Sequence, residues 1–200
     1  MRVVWVRLAA SITVGVLVIA AAVADDLSGP VSFVPWKVLM PGDAPVAAPL
    51  TLFWIPASAD DFKHSEMLFS RPLSAYAGQC VAMSVVRVDD ASMIGRLGVG
   101  GKLPAAVLID SDGKQIGRVD NERGMLRVSA VEHLVREQLR ACEADIDARL
   151  EGARRMAEAG DRAAAVVAYK SIWGLRCLSP RKARAAQREL KKLGIEVAQR

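Results

Sequence analysis

Histidine and cysteine are scarce in this 200-residue chain, and that scarcity removes several kinds of chemistry at once. The two histidines, His64 and His133, each lack a second His or Cys three or four residues away, so no metal-ligand spacing is formed. No G-x-S-x-G elbow surrounds Ser58, which leaves Ser58, Asp61 and His64 without the frame of a hydrolase triad. A strong charge of one sign is missing too. The formal net charge is +5, and it falls to +3 once Arg2 and Arg7 are set aside with the N-terminal segment. A balance that mild does not point to nucleic acid. No pattern calls for a cofactor. The cysteines number three, Cys80, Cys142 and Cys177. In an oxidising compartment an odd count allows one disulfide and one spare thiol.

What is present describes a folded, exported chain. Hydrophobic residues make up 52% and charged residues 24%, a composition that suits one domain with an extension or two small domains. Arg2 and Arg7 form a positive n-region, Leu8 to Ala24 carries no charge, and Ala22-Val23-Ala24 is the small-x-small pattern that signal peptidase cuts. Two readings stay open: a signal peptide over residues 1–24, or an uncleaved anchor attaching the protein to a membrane through residues 3–24. Both put the bulk of the protein outside the cytoplasm, in a periplasmic or extracellular location.

Residues 25–49 hold Pro30, Pro35, Pro41, Pro45 and Pro49 without periodicity, as expected of an extended lead-in, with Trp36 packing on the domain C-terminal to it. Thr51-Leu52-Phe53-Trp54-Ile55 predicts a strand buried on both faces, stopped by Pro56. Residues 58–76 read as a loop passing into helix, and Cys80 to Val88 as a second strand. A short helix over 92–97 comes next, then a third strand over 104–110. Ser111-Asp112-Gly113-Lys114 is a hairpin turn into a fourth strand over 115–119. Ser129-Ala130-Val131-Glu132 reads as a capping box opening one long amphipathic helix that stops at Gly160-Asp161. A second tail helix carries Val166, Tyr169 and Trp173 on one stripe. A third opens at Ser179-Pro180. Basic residues gather late, among them Arg176, Arg181, Lys182, Arg184, Arg188, Lys191 and Lys192, as a solvated face or as a contact for an anionic surface.

The order strand, helix, strand, helix, strand, hairpin strand, helix over residues 50–141 resembles the thioredoxin fold. Leu52-Phe53-Trp54, Ile94-Gly95-Arg96-Leu97-Gly98-Val99, and Gly101-Lys102-Leu103-Pro104 with its hydrophobic strand and Asp-Ser-Asp-Gly-Lys turn carry the resemblance. It implies an α/β, three-layer domain with an active-site Cys-x-x-Cys at a helix N-terminus, where the helix dipole lowers the first thiol's pKa. Here that place reads Ser58-Ala59-Asp60-Asp61, and Leu52 stands where such proteins keep a buried acid. The resemblance therefore implies a degenerate redox position at Ser58 and Asp61. It also implies a cis bond at Leu103-Pro104 and a groove around Leu103, Pro104 and Trp54 that can pair with extended peptide.

Residues 142–200 form an all-α extension. Ala157-Glu158-Ala159-Gly160-Asp161 with Ala164, Ala165, Ala168 and Tyr169 resembles the turn and second helix of one tetratricopeptide unit, against the plainer reading of a packed helical hairpin. Cys142 and Cys177 stand 18 residues before and 17 after Gly160. A disulfide between them is expected if the second helix continues past Gly174, closing a loop valued at roughly 3–4 kcal/mol. Taken together, the sequence leads to the expectation of a non-catalytic, thioredoxin-like binding or scaffold protein of the cell envelope, with an envelope protein or peptide as partner. The alternative is a thiol-disulfide oxidoreductase, or another enzyme with an atypical site around Ser58, Asp61 and Cys80.

Overall fold

The computed structural model describes residues 31–44 and 46–197. Residues 1–24, read above as an export signal or anchor, lie outside the described residues. Among the described residues no helix is long and apolar enough to cross a membrane.

The centre of the molecule is Leu50–Ile55 (β2), six consecutive residues that are all buried, as a strand covered on both faces must be. Its neighbours are Val81–Val86 (β3), which runs parallel to it, and Ala105–Asp110 (β4), which runs antiparallel. Lys37–Leu39 (β1) adds a parallel strand outside β3, and Gln115–Asp120 (β5) returns antiparallel along β4 after the Asp-Gly turn. The sheet is thus five-stranded and mixed, in the order β1-β3-β2-β4-β5. The proline-rich lead-in is therefore not wholly an extended linker. Val34 is buried, Trp36 packs against Trp54, and β1 supplies a sheet edge.

Alternate residues divide the sheet's two faces, as the pleat requires. On one face Leu50, Leu52, Trp54, Met83, Val85 and Leu108 pack against Leu73 and against Val131 and Val135. On the other, Phe53, Ile55, Val86 and Val107 pack against Met93, Leu97 and Val99. The first face is covered by Arg71–Ala77 (α2) and the start of Val128–Glu158 (α4), and the second by Ala91–Arg96 (α3). A short helix, Ala59–His64 (α1), and a 3-10 turn over Glu66–Leu68 connect β2 to α2. Pro72 sits in the first turn of α2, where a proline gives up only an amide that has no helical partner.

α4 is the structural beam. Its 31 residues rise about 46 Å at 1.5 Å each. Its first half faces the sheet through Val131 and Val135. Its second half, through Ile146, Leu150 and Ala153, builds a separate core with Arg162–Gly174 (α5) and Pro180–Lys192 (α6). A division at residue 141/142 thus falls inside one continuous helix.

Three local expectations are corrected. α4 begins at Val128 after Arg127, with no side-chain cap, so Ser129 does not cap it; Glu132 instead accepts a hydrogen bond from the Ser70 hydroxyl at 2.7 Å. The buried stripe of α5 is Ala165, Tyr169 and Ile172, one position away from the expected Val166 and Trp173. α5 ends at Gly174, so Cys177 lies in the connection to α6 and does not extend the helix.

Candidate functional site

Two places gather the candidate residues. The first is the end of the sheet where β2 leaves and β4 enters. Ile55 lies opposite Ala105 in the antiparallel register, so the segment Pro56–Asp61 and the pair Leu103-Pro104 emerge at the same end. The Leu103-Pro104 peptide is cis. Pro104 is buried, and the Leu103 carbonyl accepts a hydrogen bond from the Asn121 side-chain amide at 3.1 Å.

Ser58 and Asp61 are committed to the backbone. The Ser58 hydroxyl accepts from the Asp61 N–H at 3.0 Å, and an Asp61 carboxylate oxygen accepts from the Ala57 N–H at 2.8 Å. This reciprocal cap satisfies two amides and puts a negative charge at the positive end of α1. No triad forms with His64, whose Nδ1 lies 3.0 Å from the Asp60 carbonyl and 3.3 Å from its carboxylate. Trp54 does not line an open groove. It is 1% exposed and packs between the tilted rings of Trp36 and Phe62, so it serves as core beneath this end of the sheet. Alternation along β2 sends Trp54 to the α4 side; the sequence shows that it is buried but not which face it takes.

The second place lies where α2, α4 and the α5–α6 connection meet. A groove of about 550 Å³ is lined by Arg136, Leu139 and Arg140 of α4, by Arg181 and Arg184 of α6, and by Leu178 and Ser179, among others. Just beside it, Cys80 ends the turn after α2, and Cys177 precedes Leu178. The Cys177 thiol lies near enough to Cys80 to act on its ionisation. Cys80 has φ +60, a left-handed conformation that a side chain adopts only when its surroundings hold it there. Burial, with the Cys177 thiol adding to it, pushes the Cys80 thiol up to about 11. The Cys142 thiol is also raised, first by burial and then by Asp145. Cys177 thus sits against Cys80, a cysteine 97 positions away that helix register cannot relate to it.

Among the described residues no cluster of three His, Cys, Asp or Glu side chains could hold a metal ion. No protein-family model matches the chain, and none of the curated proteins matches it. What the geometry establishes is an α/β protein: a five-stranded mixed sheet between helices, continued by α4 into a C-terminal helical part.

Proposed function

We propose that this is a non-catalytic, thioredoxin-like binding or scaffold protein of the cell envelope. The support for the fold is the strand order, with β4 antiparallel to β2, helices on both faces, and the segment after β2 beside Leu103-Pro104. The observation that carries the functional reading is the double cap at α1. In redox-active proteins of this kind, the N-terminus after the central strand holds the reactive thiols. Here Ser58 and Asp61 occupy it and spend their oxygens on the Asp61 and Ala57 amides. A hydroxyl forms no disulfide, and a carboxylate would repel a thiolate.

Partner contact falls to the backbone around Leu103, at the open end of the sheet, and to the helical tail. Placement outside the cytoplasm rests on Arg2, Arg7 and the uncharged run Leu8–Ala24. The redox alternative through Cys80 meets a thiol whose pKa is raised, the reverse of an activated nucleophile.

The test is hydrogen exchange on the full chain with and without a carboxymethylated, unfolded polypeptide as client. Added protection over residues 57–62 and 102–103 is expected. Unchanged exchange there removes the binding reading, and turnover of insulin disulfides removes the non-catalytic one.

A further inference from the structure

We propose that the groove between α4 and the N-terminus of α6 binds a phosphate monoester: its phosphate sits on the first turn of α6, and its neutral body lies along the apolar wall. This site is separate from the sheet end at Leu103-Pro104, and it stands or falls independently of the peptide-binding reading.

The first observation is the uncapped helix. α6 is 13 residues long, and its N-cap Ser179 makes no side-chain cap. Pro180 has no amide, and the Ala183 N–H is taken by the Ser179 carbonyl. The N–H groups of Arg181 and Lys182 are therefore left without an acceptor in the first turn, at the positive end of the helix dipole. Helix ends of this kind bind phosphate through backbone amides.

The second observation is Ser179 itself. It is only 7% exposed, it lines the groove, and its hydroxyl has no hydrogen-bond partner among the described residues. Its oxygen reaches the groove, so a ligand oxygen there could take the hydrogen bond that water otherwise makes.

The third is the charge of the walls. Arg136 and Arg140 come from α4, and Arg181 and Arg184 come from α6. Two carboxylates oppose these four guanidinium groups. Glu143 lies on the lining, and Glu137 pairs with Arg140 at 2.9 Å while lying 3.9 Å from Arg136. Arg181 and Arg184 have no carboxylate partner among the described residues. Guanidinium groups converging from two walls suit a multidentate dianion, and a phosphate monoester offers three oxygens and close to two charges. A bare phosphate would leave most of the groove empty. Its size falls within the roughly 300–1,000 Å³ range of small-molecule sites, and Leu139 and Leu178 give the rest of a ligand an apolar surface.

The phosphate ester can come from a soluble metabolite or from a lipid headgroup, and two probes separate these sources. Calorimetry with glycerol 3-phosphate tests the first. Cosedimentation with phosphatidylcholine vesicles, with and without phosphatidic acid, tests the second, with the full chain used throughout. Arg181→Gln with Arg184→Gln removes two exposed charges from the groove. Arg188→Gln with Lys191→Gln removes the same charge from exposed positions of α6 that are not on the lining. Saturable binding is expected, weakened at least about tenfold by the groove pair and unchanged by the control pair. Ser179→Ala should weaken it about threefold or more. Binding of glycerol 3-phosphate assigns a soluble ester, and binding confined to phosphatidic acid vesicles assigns the headgroup. If neither probe binds, or if the control pair loses as much as the groove pair, the proposal is overturned.

Discussion

The hydrogen bond between Ser70 and Glu132 joins two helices across 62 residues of sequence, and its energetic signature can be worked out in advance. The Ser70 hydroxyl has two roles. It accepts from the Leu73 N–H at 3.1 Å as the N-cap of α2, and it donates to a Glu132 carboxylate oxygen at 2.7 Å. Losing an N-cap costs about 1 kcal/mol, within a range of roughly 0.5–2. Losing a hydrogen bond to a charged group costs roughly 1.5–3 kcal/mol. Ser70→Ala should therefore destabilise by about 2–4 kcal/mol. Glu132→Ala, which removes only the second interaction, should cost about 1.5–2 kcal/mol. In the double variant the shared bond is counted once, so the sum of the single effects should exceed the double effect by the energy of that bond, about 1.5–2 kcal/mol. Urea denaturation of the four proteins gives the cycle directly. Ser129→Ala serves as the control: Ser129 makes no cap, so this variant should stay within about 0.5 kcal/mol of the parent. Were Glu132 part of a capping box on its own helix, Ser70→Ala and Glu132→Ala would be additive within about 0.5 kcal/mol and Ser129→Ala would cost about 1. That outcome would refute the reasoning.

Other expectations rest on single sites. Ser84 is fully buried in β3, and its hydroxyl lacks a partner among the described residues. Ser84→Ala should stabilise by about 1 kcal/mol, seen as a melting-temperature rise of roughly 2–4 °C; a fall in melting temperature would show that the hydroxyl is satisfied. An added Cβ at Gly117 would lie 2.3 Å from a Leu134 methyl, so Gly117→Val should destabilise by about 1–3 kcal/mol and Leu134→Ala should recover part of the loss. An unchanged denaturation midpoint would mean that β5 and α4 are not packed this closely. With its thiol at about 11, Cys80 should alkylate slowly at pH 8, at a rate rising about tenfold per pH unit until the thiol titrates. The folded state holds this proton more tightly than a free thiol near 9, so its contribution to stability is whole below pH 9 and is lost as pH rises to 11. A Cys80→Ala variant that keeps the parent's pH–stability profile between about pH 9 and 11 would count against it. Oxidised glutathione should link Cys177 to Cys80, releasing two glutathione thiols for each bond formed. Peptide mapping that finds Cys142 joined to Cys177 would reverse the assignment.

Much of the architecture was legible because local signals and tertiary needs agree. Leu50–Ile55 reads as a strand with no polar face and is buried along its whole length. Asp112-Gly113 reads as a hairpin and joins β4 to β5. The four-four-three spacing from Val131 onward reads as one helix, and α4 is one helix. Ser58 was legible as a residue at a helix start, since its hydroxyl and the Asp61 carboxylate cap α1 with partners no more than four positions away.

What the sequence alone determined is therefore what depends on neighbours a few residues apart: the elements, their turns, and the absence of paired thiols at α1. Only the tertiary structure decided what depends on distant segments meeting. β1 is a strand because β3 offers an open edge to Lys37–Leu39, a run too short to declare itself. Glu132 turns to Ser70 because α2 packs beside α4, which outcompetes the local cap. Cys177 faces Cys80 because α5 ends at Gly174 and the chain turns there toward the sheet. Four arginines from two helices share one groove for the same reason: α6 folds back along α4, which the pattern of either helix alone does not encode.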